Sequence, residues 1–267
     1  MRRLFPAALL ATIFSAACAQ SQTYQSITVT NGGTISGTVK WEGPLPHVPT
    51  LAITKDPQIC DPESRKTRDL ERILISPQGG VANAVIYLKD ISAGKSMDIP
   101  PQRQFLDQRN CRYEPHILLV PADATLQMKS SDATLHTVHM DGAATYNLPF
   151  PFPNQVISRQ MSTPGLVNLK CNGGHTWMNA ELFVVPHPYY AVTDANGRFE
   201  LSNVPAGEYT LVAWHESWKV ANRESSFDVL TEKKVERPVF TPPRTWERTV
   251  RVEPKGTTSI SFAIGEK

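Results

Sequence analysis

The sequence predicts an all-β protein, and three observations support this fold class. The 267 residues include 22 prolines and 15 glycines, which favour many short strands and turns over long helices. Valine and threonine are plentiful, and several runs alternate apolar and polar residues with the period of a half-buried strand. A chain of this length can bury one large β domain or two small ones.

The part of the chain before residue 105 contains three predicted strands joined by turns and polar loops. A Gly-Pro-Leu-Pro turn follows the first strand, and a Gly-Gly pair precedes the last. The charged residues 54–72 contain two Asp-Pro pairs and indicate a loop with one helical turn. The predicted strands are residues 33–41, 73–75 and 81–88, and residues 92–104 form a further polar connection.

The rest of the chain continues this pattern of short strands. Polar and glycine-containing turns separate the apolar runs, most clearly at residues 194–197 and 205–207. Residues 217–247 are charged and carry three prolines, so we expect a long excursion between the last strands. The strand-bearing stretches are residues 113–121, 124–129, 135–139, 190–201, 204–214 and 258–264.

The charge of the chain argues against one class of partner. Lys and Arg number 27 and Asp and Glu number 25, which gives a formal net charge of +2. No basic run or stripe stands out, so nucleic acid is not an expected partner.

The N-terminus, residues 1–19, has the pattern of a signal peptide. Two arginines precede a short apolar run, and small residues follow it. The run is too short to span a bilayer, and no other membrane span is expected. Ala17-x-Ala19 fits ordinary cleavage before Gln20, whereas Ser15-Ala16-Ala17-Cys18 resembles a lipobox and would leave a lipid anchor at Cys18. Either route predicts export to the periplasm or cell envelope.

The stretch from Cys171 to Met178 places three metal-ligand types in one loop. A thiolate, an imidazole and a thioether follow one another as Cys-x3-His-x2-Met, with His175 in the middle. This combination suits a copper ion that cycles between two oxidation states. Such a site needs a second imidazole, and both His136 and His139 lie upstream. Residues three apart in a strand point to opposite faces, so only one of them is expected to reach the metal.

Two further cysteines, Cys60 and Cys111, remain outside the signal peptide and the metal loop. In an oxidising compartment two spare thiols are expected to form a disulfide. The bridge would close a loop of about 50 residues, worth roughly 4 kcal/mol in the chain-entropy description. The alternative is two separate buried thiols.

Residues 105–187 resemble the cupredoxin family. The resemblance rests on Tyr113-Glu114-Pro115, on Ser131-Asp132 ahead of His136, and on the spacing of the closing metal loop. Two positions depart from the family pattern: Asp123 replaces a turn glycine, and Thr137 stands where many members carry asparagine. The resemblance implies a Greek-key β-barrel that holds one copper ion. The ligands it implies are His136, Cys171, His175 and Met178.

The same resemblance implies single-electron transfer to a redox partner protein, without catalysis. An apolar surface near the C-terminal copper histidine docks partners in this family. Here that expectation falls on His175, Trp177 and Phe150, the last within the apolar stretch 148–153. The alternative is that the apolar stretch only covers one end of the barrel.

Residues 188–265 resemble the carboxypeptidase regulatory-like domain, a transthyretin-like β-sandwich. The resemblance rests on residues 190–201 and 204–214 with their two turns. The N-terminal strands, residues 33–104, supply pieces typical of the start of the same family, including Gly37-Thr38-Val39. The sandwich is therefore expected to be interleaved with the copper domain. The alternative is a separate C-terminal sandwich.

Three other functions compete with electron transfer. A copper enzyme of the same superfamily would need further histidine ligands, and the chain has no His-x-His pair. A binding or scaffold module of the cell envelope could hold a structural zinc through Cys171, His175 and His136. A copper carrier would use the same ligands but release the metal readily.

Overall fold

The structure is a computed structural model that describes residues 24–100, 102, 104–228 and 233–265. The predicted signal peptide and Cys18 lie outside the described residues. Almost every regular element is a strand, so the all-β prediction is confirmed. Within the described part, the helix α1 (Pro57–Cys60) has four residues, and no helix has the length and apolar character needed to cross a membrane.

Residues 105–185, named here the ligand-bearing unit after the predicted ligands that they include, form two sheets that face each other across one core. The strands are β7 (Phe105–Arg109), β8 (Arg112–Glu114), β9 (Ile117–Pro121), β10 (Ala124–Ser130), β11 (His136–Gly142), β12 (Tyr146–Phe150), β13 (Val156–Met161), β14 (Gly165–Lys170) and β15 (Asn179–Val185). The first sheet has the order β13-β10-β7-β8 and the second β12-β11-β14-β15-β9, and no ladder joins them among the described strands. Side chains from both sheets form a single buried cluster that includes Leu126, Val138 and Cys171.

A second unit is built from both ends of the chain. Near the N-terminus lie β2 (Gly33–Glu42) and β5 (Val85–Lys89); the C-terminal strands are β16 (Tyr190–Val192), β17 (Arg198–Val204), β18 (Gly207–His215), β21 (Arg244–Val252) and β22 (Thr257–Gly265). Strand β2 lies between β17 and β22, and β5 lies between β16 and β18. The two sheets therefore each combine an N-terminal strand with C-terminal strands, and residues 105–185 are inserted between these two parts of the sequence.

Small elements connect or cover these two units. They are β1 (Gln25–Ser26) with β6 (Ala93–Gly94), β3 (Leu51–Ala52) with β4 (Thr67–Arg68), and the hairpin of β19 (Val220–Asp228) and β20 (Lys233–Phe240). The strand predicted at residues 73–75 is reduced to one bridge between Ile75 and Val81. The strand predicted at 81–88 starts only at Val85, because Asn83 has a φ of 63°, which breaks an extended run.

Replacing Gly37 with alanine is expected to lower the free energy of unfolding by about 2 kcal/mol or more. A Cβ at this position would lie 1.7 Å from the Ile260 carbonyl oxygen, so β2 and β22 would have to separate. Urea denaturation measures the effect. Gly207→Ala is the control, since its Cβ would meet the movable Tyr209 hydroxyl at 3.2 Å. Equal stability of the two variants would contradict the pairing of β2 with β22.

Candidate metal centre

His136 and His139 lie on opposite faces of β11. His136, Val138 and Met140 are buried against the core, and the alternation of the strand turns His139 to the other side. The ring nitrogens of His136 lie close to Cys171 and His175, whereas His139 belongs to no such group of potential ligands in the described chain. The structure therefore brings the first of the two candidate histidines to the metal loop.

Cys171 directly follows β14 and begins a tight loop that leads to β15. Its Sγ accepts hydrogen bonds from the backbone N–H groups of Gly173 at 3.3 Å and Thr137 at 3.4 Å. A Cβ on Gly173 would lie 3.1 Å from the Leu135 carbonyl oxygen and 3.3 Å from the sulfur. Glycine at this position, the first of the pair Gly173-Gly174, therefore lets the backbone approach the thiol.

Three ligand atoms converge in this loop. The Nδ1 atoms of His136 and His175 are 3.2 Å apart, and Cys171 Sγ is 3.8 Å from His175 Nδ1. Two imidazole nitrogens on one metal ion can be at most about 4.2 Å apart, and a nitrogen and a thiolate sulfur about 4.4 Å. Both observed distances are shorter than these limits, and all three residues are fully buried. The residues present therefore fit a metal with one thiolate and two imidazole ligands.

A carboxylate holds the far nitrogen of each imidazole. His136 Nε2 donates to Asp132 Oδ2 at 2.9 Å, and His175 Nε2 donates to Asp56 Oδ2 at 3.2 Å. Such partners set the orientation of a metal-binding histidine and the nitrogen that remains free for the ion. Here both Nδ1 atoms are left to face Cys171.

The surroundings favour the thiolate form of Cys171. Burial by itself would raise the pKa of this thiol, but hydrogen bonds with His136 and His175 outweigh burial and hold the pKa well below its usual value. Burial likewise disfavours the charged form of His136, yet Asp132 and Cys171 raise its pKa to about 9. Without a metal ion the site therefore pairs a Cys171 thiolate with a protonated His136, and a bound metal ion would take the place of the proton on His136 Nδ1.

Met178 lies at the end of the same loop and is buried in the same core. Its exposed fraction is 2 %, and its backbone N–H donates to the His175 carbonyl oxygen at 3.0 Å. The loop thus turns back on itself between the two residues. The role of Met178 as a fourth ligand stays a prediction.

The predicted disulfide between Cys60 and Cys111 is confirmed. Both sulfur atoms lie within 4.8 Å of a ring nitrogen of His175, so the bridge packs against the candidate metal centre. Cys171 is the free cysteine of the described residues.

Several residues near the site had no distinguishing signal in the sequence. Asp56 lies 119 positions from its partner His175. Arg237 of β20 donates from Nη2 to the Cys171 carbonyl oxygen at 2.6 Å, across 66 positions. Asp132 is part of the motif ahead of His136 on which the resemblance rests, but its contact with His136 was not predicted.

The three residues expected at a docking surface are buried. Exposed fractions are 0 % for His175, 2 % for Trp177 and 0 % for Phe150. Trp177 packs in the core cluster, where its Nε1 donates to the Cys111 carbonyl oxygen at 3.1 Å. In the same apolar stretch, Phe152 is 69 % exposed.

A buried cluster of charges lies outside the metal centre. Arg72 Nη1 is 2.5 Å from Glu216 Oε2 and 3.8 Å from Glu181 Oε1, and His116 Nε2 pairs with the other oxygen of Glu216. Burial, with the charge of Glu216, raises the pKa of Glu181 to about 8. Glu181 is therefore mostly protonated at neutral pH in the folded protein.

Replacing Glu181 with glutamine is expected to stabilise the protein more at pH 8 than at pH 5. The raised pKa means that the folded state binds more protons than the unfolded state between about pH 4.5 and pH 8. The stability linked to this proton is present below that range and is lost as the pH rises through it. Urea denaturation at several pH values measures the difference between variant and wild type.

Glu247→Gln is the matched control for this prediction. Glu247 is half exposed and pairs with Lys89 on the surface, where an ion pair contributes little. A Glu181→Gln difference that does not grow between pH 5 and pH 8 would contradict a protonated Glu181.

Comparison with protein-family models gives a match for the C-terminal part of the chain. Residues 188–239 match the second β sandwich domain of the BOS complex subunit NOMO1-like family. The matched residues begin where the sequence predicts a β-sandwich, although the family differs from the carboxypeptidase regulatory-like domain named above. No curated protein matches.

Solved structures with similar regions include several cupredoxins. A purple cupredoxin from Nitrosopumilus maritimus is 15 % identical with a TM-score of 0.27, and the match covers 30 % of this chain and 98 % of that one. The reduced Cu(I) form of an amicyanin mutant at pH 4 is 22 % identical with a TM-score of 0.29, covering 33 % of this chain and 87 % of that one.

A copper-containing nitrite reductase from Thermus scotoductus also overlaps with part of the chain. It is 14 % identical with a TM-score of 0.29, and the match covers 37 % of this chain. The chain spans only 25 % of the nitrite reductase. All of these similarities are confined to about a third of the present protein, and the remainder lies outside them.

Proposed function

We propose that this protein is an exported electron-transfer protein with one copper ion held by His136, Cys171, His175 and Met178. The observation that carries the proposal is the meeting of one thiol and two imidazole Nδ1 atoms, all from fully buried side chains. Copper bound by such ligands gives up and takes back a single electron. The resemblance of residues 105–187 to cupredoxins supports the same assignment.

The protein's own residues supply a rigid holder for the metal. Asp132 and Asp56 fix the two imidazoles, and the backbone N–H groups of Thr137 and Gly173 fix the sulfur. A holder that cannot rearrange keeps the ligand positions similar in both oxidation states, which favours fast electron transfer. Full burial of both histidines leaves little room for a substrate, so we propose a carrier of electrons and not an enzyme.

Export and a protein partner belong to the same proposal. A disulfide between Cys60 and Cys111 suits an oxidising compartment, as does a signal peptide at residues 1–19. We propose the periplasm or cell envelope as its location and a redox protein as its partner. Because Trp177 and Phe150 are buried, the partner would contact exposed neighbours such as Phe152.

A visible absorption spectrum with metal quantitation tests the proposal. The protein is purified, loaded with copper and oxidised, and one equivalent of copper with a strong thiolate-to-copper band is expected. The main competing function is a scaffold module with a structural zinc, which the same three ligands and the match to a β sandwich domain favour. One equivalent of zinc and no redox activity would support that alternative and exclude electron transfer.

A further inference from the structure

Residues 51–70, named here the cover segment, lie over the ligand-bearing unit although they precede it in sequence. The segment contains β3, α1 and β4, and the pairing of β3 with β4 closes it into a loop. Leu51, Cys60 and Leu70 are buried in the same core cluster as Cys171. The cover segment is thus packed onto the metal-binding unit.

Asp56, in the cover segment, lies directly beside His175, one of the proposed metal ligands. Its Oδ2 accepts hydrogen bonds from Thr134 Oγ1 at 2.6 Å and from His175 Nε2 at 3.2 Å. The Asp56 side chain is 27 % exposed, whereas that of His175 is 0 % exposed. Asp56 therefore lies between the imidazole and the solvent.

The backbone of Asp56 begins α1. Its φ of 47° is left-handed, and its carbonyl oxygen accepts from the N–H groups of Ile59 and Cys60, both at 2.9 Å. Aspartate, asparagine and glycine tolerate this conformation better than other residues do. With this left-handed backbone, the Asp56 carboxylate points toward the His175 imidazole.

The disulfide links the end of α1 covalently to the His136 side of the proposed metal centre. Cys60 is bonded to Cys111, whose backbone N–H donates to Asp132 Oδ2 at 2.8 Å. The same oxygen accepts from His136 Nε2 at 2.9 Å. One covalent link therefore connects the segment that orients His175 with the carboxylate that orients His136.

We propose that Asp56 is a positioning residue of the metal centre and that the cover segment closes the centre at the His175 edge. The proposal rests on the ligand assignment above. Asp56 holds the His175 ring with Nδ1 toward the metal position, and reagents reach Cys171 only after the cover segment opens. A redox partner then exchanges electrons through a face other than the His175 edge.

The test measures how fast iodoacetamide alkylates Cys171 in the metal-free protein. All chains carry Cys18→Ser, so Cys171 is the single cysteine outside the disulfide. Asp56→Gly removes the carboxylate but tolerates the left-handed backbone, and it is expected to raise the alkylation rate about tenfold. This factor follows from losing hydrogen bonds to a charged group in the closed state. Asp56→Asn keeps an oxygen acceptor and is expected to react nearly as slowly as the unmodified chain.

Ser64→Gly is the matched control. Ser64 also has a left-handed backbone, with a φ of 56°, and its exposed side chain lies in the same segment away from the ligands. It adds the same backbone freedom without touching His175. Equal alkylation rates for Asp56→Gly and Ser64→Gly would overturn the proposal.

Spectra of the copper-loaded variants test whether Asp56 orients His175 or whether the cover segment only blocks access to Cys171. Asp56→Gly is expected to change the position or intensity of the visible band and the copper hyperfine splitting, and Asp56→Asn to restore most of the change. Unchanged spectra in Asp56→Gly would exclude the positioning role. Because alkylation needs no metal, faster alkylation without any copper band would uphold the cover segment and reject the proposed function.

Discussion

Replacing Cys171 with serine is expected to abolish the visible band of the copper-loaded protein completely. The band arises from charge transfer between the thiolate and copper, and a serine hydroxyl is neither a soft ligand nor ionised at neutral pH. Cys171 is also the one thiolate that the described residues bring to the two imidazoles. Absorption spectra and copper content of the purified variants measure the effect.

Two histidine variants of β11 provide the matched comparison. His136→Gln removes an imidazole that lies 3.2 Å from His175 Nδ1, and it is expected to lose the band as well. His139→Gln alters the same strand on its other face and is expected to keep it. A Cys171→Ser protein that retains the colour, or a loss of colour only in His139→Gln, would disprove the ligand assignment.

Removing the disulfide is expected to lower the free energy of unfolding by about 4 kcal/mol. Cys60 and Cys111 are 51 positions apart, so their bond restricts a long loop of the unfolded chain. The double variant Cys60→Ala/Cys111→Ala also leaves small cavities in a core where both sulfurs are fully buried. Urea denaturation of the oxidised proteins measures the difference.

Reduced wild-type protein distinguishes the contribution of the disulfide bond from the effect of the cavities that the two alanine substitutions leave. With a thiol reductant present, the wild type loses the cross-link but keeps both side chains, and it is expected to unfold close to the double variant. The reductant should change the double variant little. Equal stability of the oxidised wild type and the double variant would show that the bond contributes nothing.

The local patterns of the sequence were sufficient for the fold class. Alternating runs such as residues 33–41 became strands because their apolar side chains had to be buried on one face. The disulfide was predictable because the sequence predicts export and leaves Cys60 and Cys111 with no other role. The close spacing of Cys171, His175 and Met178 indicated a metal loop, and such spacing depends on neighbouring residues alone.

Local sequence patterns were not sufficient to choose His136 over His139 as a ligand. Periodicity separates His136 from His139 but does not say which face meets the core, and the resemblance to cupredoxins was needed to choose. The structure places His136 on the core face of β11. The ligand set as a whole stays a prediction that the variants above test.

Other features could be decided only by the tertiary structure. Strand β2 pairs with β22 along its length, although more than half of the chain lies between them. The backbone N–H and C=O groups that pair two strands are the same in every strand, so the sequence of one strand does not identify the distant strand with which it pairs. The burial of Phe150 and Trp177 likewise depends on which elements cover them.

The surroundings of the candidate metal centre illustrate the same division between sequence and tertiary structure. The sequence by itself determined a thiol, imidazoles and a thioether at ligand spacing, because those atoms lie in one loop and a nearby strand. The tertiary structure alone decided that Asp56 and Arg237 contact this loop, across 119 and 66 positions. Such contacts depend on how two distant segments pack against each other. The local sequence of one segment does not determine which other segment it will contact.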